Sequence, residues 1–502
     1  MMHRILFVAS EVQPLMKTGG LADAVAGLAT ALHRRGHDVR ILMPGYADTL
    51  ARTRECQAVP GYRPPEGLEH TRLLASRLPG SALPVWLLDA PGFSNRPGDP
   101  YNDRQGRARP DNHARFGALC HTAAAIGAGT AVPDWRADIV HCHDWHTGLV
   151  PVYAMLQRLP ASIVFTIHNL GYDGRYPERV LEPLRLPAWL WHPEALEYYG
   201  SLSFIKGGLN FADRLTTVSP TYAREILTPD HGEGLEGILG ERANRLCGIL
   251  NGLDRETWDP QSDPHLAYHY SRSAPGNKRH LRTALRKEFS LGNHRDIPLV
   301  AVVGRLAHQK GIDLLLRALP DLMKMPVRLL ILGSGEPEFE RQLTSAARRW
   351  AGRMQVHIGY EEALAHRLLA GSDMLLMPSR FEPCGLVQLQ ALRYGTIPVV
   401  RHTGGLADTV VDATQESLRS GSATGITFPG TSAESLLEAM QRALELFGHK
   451  TLWHALVRNA MAQDFSWDSS ARAYETLYQE TLLERFNGSQ SFPLPVRRAV
   501  NA

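Results

Sequence analysis

The hexapeptide Thr18-Gly19-Gly20-Leu21-Ala22-Asp23 recurs unchanged as Thr403-Gly404-Gly405-Leu406-Ala407-Asp408. One copy lies in each half of the 502-residue chain, and each precedes a helical pattern. Such a repeat points to duplicated architecture, or to one chemical task performed twice across a cleft. Each half also carries its own strand–helix rhythm. In the first, residues 4–9, Val39–Met43, Ile139-Val140, Ile163–Ile167 and Leu215–Val218 read as buried strands. Between the first two, Leu21, Val25, Leu28, Ala29 and Leu32 recur at helical spacing. The second half restarts with Pro298–Val303, Arg328–Leu332, Met374–Met377 and Ile397–Val400, separated by helical patterns over 310–320, 336–350, 360–370 and 385–394. Alternation of this kind predicts parallel, doubly wound sheets. Two Rossmann-like domains follow: residues 1–250 and 251–464, with turn signals at Asn251–Asp254 and Asp259-Pro260. A last helix is predicted at about 466–484, within a closing segment 465–485.

Composition narrows the function classes. With 54 Lys and Arg against 51 Asp and Glu, the net charge is +3, and no basic block is present. A nucleic-acid footprint needs clustered positive charge, so no nucleic-acid partner is expected. No run approaches the ~18–20 apolar residues of a membrane span, and no membrane association is expected. The five cysteines, Cys56, Cys120, Cys142, Cys247 and Cys384, are scattered and form no CxxC pair. That predicts neither a disulfide framework nor a zinc knuckle and fits a reducing cytoplasm. Arginine dominates the basic residues; lysine occurs only at 17, 206, 278, 287, 310, 324 and 450. A lysine in a Gly-rich turn therefore invites a specific reason.

Five clusters could carry chemistry. Lys17-Thr18-Gly19-Gly20 opens a helix after the first strand; N–H groups and the helix dipole attract phosphate there, and Lys17 adds a mobile cation. It is neither a Walker A loop nor GxGxxG. His141-Cys142-His143-Asp144-Trp145-His146 follows a strand and reads either as a metal nest or as polar groups lining the strand's end. A binuclear hydrolase would need H-x-H-x-D-H instead. Thr166-Ile167-His168-Asn169 places a histidine at another strand end, able to hydrogen-bond a sugar hydroxyl. Gly304-Arg305 with Lys310-Gly311 puts two cations at a strand–helix junction, suited to a diphosphate whose charge grows as a bond breaks. Ser379-Arg380-Phe381-Glu382-Pro383-Cys384-Gly385 sets a carboxylate at a helix start; Cys384 has no base among its near neighbours and reads as packing.

Taken together, these segments resemble the bacterial glycogen synthase and plant starch synthase family. The resemblance is carried by Lys17–Asp23, His143–His146, Thr166–Leu170, Val218–Ala223, Asn251–Asp254, Gly304–Leu306 with Lys310-Gly311, Pro378–Gly385 and the second Thr-Gly-Gly-Leu-Ala-Asp, in the family's order from Glu11 to Trp467. It implies an α/β fold of the GT-B type, two Rossmann-like domains facing a central cleft. It implies glucosyl transfer from a nucleotide-glucose, in bacteria usually ADP-glucose, to the non-reducing end of an α-1,4-glucan such as glycogen. Anomeric configuration is retained, and no metal or other cofactor is needed. The last helix packs back on the N-terminal domain.

The resemblance also distributes roles. Lys17, Gly19, Gly20, Arg305, Lys310, Gly404 and Gly405 hold the nucleotide sugar. Glu382 holds glucose hydroxyls and favours the cationic sugar, His168 contacts the sugar, and Asp144 orders the acceptor side. Where many retaining GT-B enzymes carry an acid eight residues beyond the Glu382 position, this chain has Gln390. An amide there still hydrogen-bonds a hydroxyl. Rival readings are a GT-B transferase acting on a small acceptor and a non-catalytic glucan binder, the latter opposed by the intact set Lys17, His168, Arg305, Lys310 and Glu382.

Overall fold

The computed structural model describes residues 2–486 apart from Arg54, Arg104, Asn293 and Arg295. The chain divides into two compact units. One comprises residues up to 218, 223–252 and those from 467 onward; the other comprises 219–222 and 253–466.

Among the described residues, the first unit's main sheet has nine strands. Their order is 246–248, 214–217, 162–167, 139–143, 4–8, 38–44, 84–89, 72–77 and 57–58. The seven from 246–248 to 84–89 pair in parallel, and the last two are antiparallel additions at one edge. The central strands are buried on both faces, so they read as unbroken apolar runs: Ile5, Leu6, Phe7 and Val8 are all fully buried. Helix Gly20–Arg34 turns Leu21, Val25, Leu28 and Leu32 inward at the expected spacing.

Among the described residues, the second unit's sheet has six strands, all parallel, ordered 354–358, 328–333, 299–303, 374–377, 397–401 and 426–428. Numbered along the chain, this is the 3-2-1-4-5-6 order of the Rossmann fold. The parallel strands of the first unit follow the same order with a seventh added at the end. Each sheet therefore reverses its winding between its first and fourth strands. Loops leaving those two strands diverge, and the crevice they leave is where open α/β sheets bind ligands.

This topology corrects the reading of the hexapeptide repeat as duplicated architecture. Thr18–Asp23 follows the first strand of its sheet, whereas Thr403–Asp408 follows the fifth strand of the other. The first opens the fifteen-residue helix Gly20–Arg34, the second the six-residue helix Gly404–Thr409. The two copies occupy non-equivalent places, so the architecture is duplicated but the hexapeptide does not mark it.

The helix Trp467–Phe486 belongs to the first unit. Ser470 donates to the Leu250 carbonyl at 2.6 Å, and Arg35 makes a two-pronged pair with Glu475 at 2.8 Å. Deeper in, Tyr478 Oη lies 2.7 Å from Nδ1 of fully buried His141, whose Nε2 meets Thr166 Oγ1 at 2.6 Å. Tyr478→Phe leaves Nδ1 of His141 without a partner in a dry site. We expect a loss of about 1–3 kcal/mol of stability, measured by urea unfolding of the full chain against wild type.

Candidate active site

In the first unit, chemistry gathers beyond the first, fourth and fifth strands of the parallel set. Glu11 follows the first strand and is almost fully buried. Its carboxylate accepts from the Thr18 hydroxyl at 2.6 Å, the Gly19 N–H at 3.2 Å, the Thr18 N–H and the Tyr101 hydroxyl. The anion at this Gly-rich turn is thus the protein's own. The neighbouring Gly20 begins the helix, and Lys17 Nζ lies 2.8 Å from Asp23 Oδ1 with both side chains one-third exposed.

The histidine-rich segment straddles the end of the fourth strand, Ile139–His143, and its side chains turn to different neighbours. Among the described residues, no group of three or more His, Cys, Asp and Glu side chains converges as ion ligands. His141 points to Tyr478 and Thr166, and His146 stacks on Tyr101 at 4.6 Å. His143 Nδ1 meets His168 Nε2 at 3.0 Å.

Asp144 sits at φ 57°, ψ 179°, a backbone conformation that side-chain-bearing residues rarely adopt. Such strain concentrates at functional sites. Its Oδ1 accepts the backbone N–H of His168 at 2.7 Å and of Asn169 at 3.3 Å. Asp144 therefore positions the His168 loop directly. Burial pushes its carboxyl up to about 7 despite those two donors, and burial pushes His168 down to about 3.

In the second unit, the loops after its first and fourth strands are tied together. Lys310 Nζ pairs with Glu382 Oε2 at 2.6 Å, and Ser379 Oγ donates to the same oxygen at 3.0 Å. The Arg380 N–H donates to the Gln309 carbonyl at 2.8 Å, and Arg305 Nη2 to Gln309 Oε1 at 2.9 Å. Val303, Gly304, Arg305, Lys310, Glu382 and Gly385 line one pocket. Gly311 has φ 68°, and a Cβ there would strike the Pro378 carbonyl, so only glycine lets the two loops meet.

Gly404 begins the helix after the fifth strand. Gly405 donates its N–H to the Glu382 carbonyl at 2.9 Å, and a Cβ on it would run into the Cys384 carbonyl. Gln388 reinforces this loop with amide bonds to the Cys384 and Gly385 carbonyls at 2.8 and 3.0 Å.

The structure thus brings Arg305, Lys310, Glu382 and Gly405 together in one unit, and Lys17, Gly19, Asp144 and His168 lie at strand ends of the other. Sequence reasoning did not single out Glu11 or Tyr101, and it took His143 only as one member of the histidine-rich cluster. Glu11 had a usable signal, a lone carboxylate between a buried strand and a Gly-Gly turn. Tyr101 had none, since it reaches Glu11 from ninety residues away.

Comparison with known proteins gives concordant results. The family described as Starch synthase catalytic domain matches residues 4–241, and Glycosyl transferases group 1 matches 285–460. The chain is 48% identical over 479 residues to a glycogen synthase of Thioalkalivibrio sulfidiphilus, covering 95% of this chain and 99% of that protein. Identity to glycogen synthase 1 of Methylococcus capsulatus is 49% over 479 residues, covering 95% and 97%. Among solved structures, the catalytic domain of starch synthase IV from Arabidopsis thaliana, bound to ADP and acarbose, superposes with a TM-score of 0.86. It is 32% identical, covering 96% of this chain and all of that one. A sucrose-phosphate synthase of Thermosynechococcus elongatus, 18% identical with a TM-score of 0.59 over 95% and 98% of the two chains, shares the fold.

The raised carboxyl of Asp144 makes a pH prediction. An unfolded aspartate loses its proton near 3.8, whereas the folded one keeps it to about 7. Between those values the native state binds more protons than the unfolded state, so stability falls as pH rises. One such group contributes at most about 1.4 kcal/mol per pH unit. Asp144→Asn keeps the acceptor oxygen and removes the titration. Urea midpoints of wild type should fall more steeply than those of the variant from pH 5 to 7.

Proposed function

Because this chain belongs to the glycogen synthase and starch synthase family of GT-B glycosyltransferases, we propose that it extends an α-1,4-glucan such as glycogen with glucose from ADP-glucose. The glucosyl unit joins the non-reducing end with retention of anomeric configuration. The observation that carries this reading is the Lys310–Glu382 pair beside Arg305 at the winding reversal of the second sheet. Cations beside a carboxylate suit the opposite needs of the two parts of a sugar diphosphate. As the anomeric C–O bond breaks, negative charge grows on the departing phosphate oxygen and positive charge on the sugar. Arg305 and Lys310 neutralise the first, and Glu382 favours the second. A preorganised donor in such a site is worth ~3–4 kcal/mol.

In this reading the second unit, residues 251–464 in the sequence division, binds the nucleotide sugar, and residues 1–250 serve the acceptor side. Gly404 and Gly405 let the backbone approach the phosphates. Lys17, in the first unit, is the further cation that the family resemblance assigns to the nucleotide sugar, with Gly19 and Gly20 beside it free of side chains. His168 contacts the glucosyl unit, and Asp144 acts through the loop that carries it. ADP as the nucleotide is supported by the ADP-bound Arabidopsis relative. The helices described here include none long and apolar enough to cross a membrane. The five scattered cysteines, with no CxxC pair among them, support placement in a reducing cytoplasm.

The test is incubation with glycogen and either ADP-glucose or UDP-glucose, following glucan growth and nucleotide release. We expect growth with release of ADP. Lys310→Ala and Glu382→Gln should each lower turnover by ~10²–10³-fold, while circular dichroism stays at the wild-type level. Near-normal turnover in either variant removes that residue from the mechanism. Transfer to small sugars but not to glycogen would replace the acceptor assignment.

A further inference from the structure

We infer that His143 is a positioning residue that fixes which ring nitrogen of His168 carries the proton. His143 ends strand Ile139–His143, and its register partner Thr166 lies two residues before His168 on the adjacent parallel strand. This places His143 Nδ1 3.0 Å from His168 Nε2. Burial holds both rings neutral, so each carries one N–H and one lone pair. A single proton therefore lies between them, and it belongs to one ring or the other.

The other nitrogen of His143 decides which. His143 is 1% exposed, and its Nε2 has no hydrogen-bond partner among the described residues. The ring stacks beside Phe7 at 5.4 Å and lies 4.2 Å from His141, whose own nitrogens are engaged by Tyr478 and Thr166. If His168 were the donor, the His143 proton would sit on Nε2 as a buried N–H with no acceptor. If His143 is the donor, Nε2 holds only an unpartnered lone pair. A sealed, unsatisfied N–H is the rarer and costlier arrangement. His143 therefore donates from Nδ1, His168 accepts at Nε2, and the His168 proton is held on Nδ1.

The catalytic consequence rests on the reading above that His168 touches the glucosyl unit. An imidazole fixed in this tautomer offers Nδ1–H to a sugar oxygen. Being neutral, it brings no positive charge beside a sugar that is itself becoming cationic. Asp144 holds the same residue through its backbone N–H, so ring and main chain are oriented independently.

The tautomer is a property of the free protein and is testable without substrate. Long-range ¹H–¹⁵N correlation spectra of the full chain with ¹⁵N-labelled histidine, and the His168 signals identified by their loss in His168→Gln, should show protonation at Nδ1. Protonation at Nε2 overturns the inference. In His143→Phe, which fills the space but donates nothing, the Nδ1 pattern should be lost, and kcat should fall ~10-fold with little change in KM for the donor. His143→Asn supplies an amide N–H in place of Nδ1–H and should restore both the pattern and kcat to within ~3-fold. Unchanged kcat in the Phe variant, or equal loss in both, reduces His143 to packing and overturns the inference. If neither variant folds, the wild-type spectrum still decides. A protein with the Nδ1 pattern that transfers no glucose would overturn the functional reading and leave the tautomer assignment standing.

Discussion

Where a parallel sheet reverses its winding, two strands end side by side and their chains leave in opposite directions. Peptide groups there have no neighbouring loop to pair with. In both units buried side chains meet that need. Glu11 takes the N–H groups of Thr18 and Gly19, and Asp144 those of His168 and Asn169. Arg401 donates to the carbonyls of Ser379 and Arg380, and Gln388 to those of Cys384 and Gly385. The loops that carry the candidate chemistry are thereby fixed before any ligand arrives. Preorganisation of this kind is what makes a charged or dipolar group effective against a transition state, since no reorganisation is needed at the moment of reaction.

The two units handle charge differently. In the first, burial drives Asp144 toward its protonated form and His143 and His168 toward their neutral forms. The result is a set of hydrogen-bonding groups with little formal charge. In the second, a lysine and a carboxylate, Lys310 and Glu382, are paired, with Ser379 sharing the carboxylate. Removing one member of a buried pair leaves the other uncompensated, which costs more than the pair itself contributes. Glutamine is therefore a better probe than alanine at position 382, where the side chain is only 6% exposed.

Most elements buried on both faces were readable because their apolar runs are unbroken, although strand Pro84–Asp89, buried along Val85–Asp89, was not singled out. Strands 299–303, 328–333, 374–377 and 397–401 match the predicted segments to within a residue or two. Strand Met354–Ile358 escaped because it lies at an edge, half exposed, with Gln355 and His357 interrupting the pattern. Strand Arg72–Arg77, one in from the antiparallel edge, escaped because it too is largely half exposed, with Arg72, Ser76 and Arg77 breaking the apolar run. Among candidate site residues, those in Gly-rich turns after strands were visible, since chain direction and strand order place them. What composition and spacing do not encode is which groups satisfy which. That Glu11 occupies the Gly19 N–H, or that Tyr101 reaches Glu11, depends on loops brought together only by the folded sheet. The hexapeptide repeat misled for a related reason: a strand–turn–helix junction imposes similar demands wherever it occurs in a sheet, so similar sequence need not mean equivalent position.

The choice of lysine at position 310, in a chain that otherwise prefers arginine, follows from the partner it already has. A guanidinium is a rigid planar fork that engages a carboxylate with two parallel bonds, and such an arrangement resists sharing. An ammonium is a compact charge with three rotatable donors on a flexible stem. At 2.6 Å from Glu382 and with its side chain still 23% exposed, Lys310 has donors left for a phosphate oxygen without abandoning the carboxylate. Arg305 has the opposite arrangement, its fork braced by Gln309 from the same loop. One cation is thus fixed in direction and the other free to divide itself between two anions. In the proposed glucosyl transfer, that division of labour matches a leaving group whose charge increases as the bond breaks.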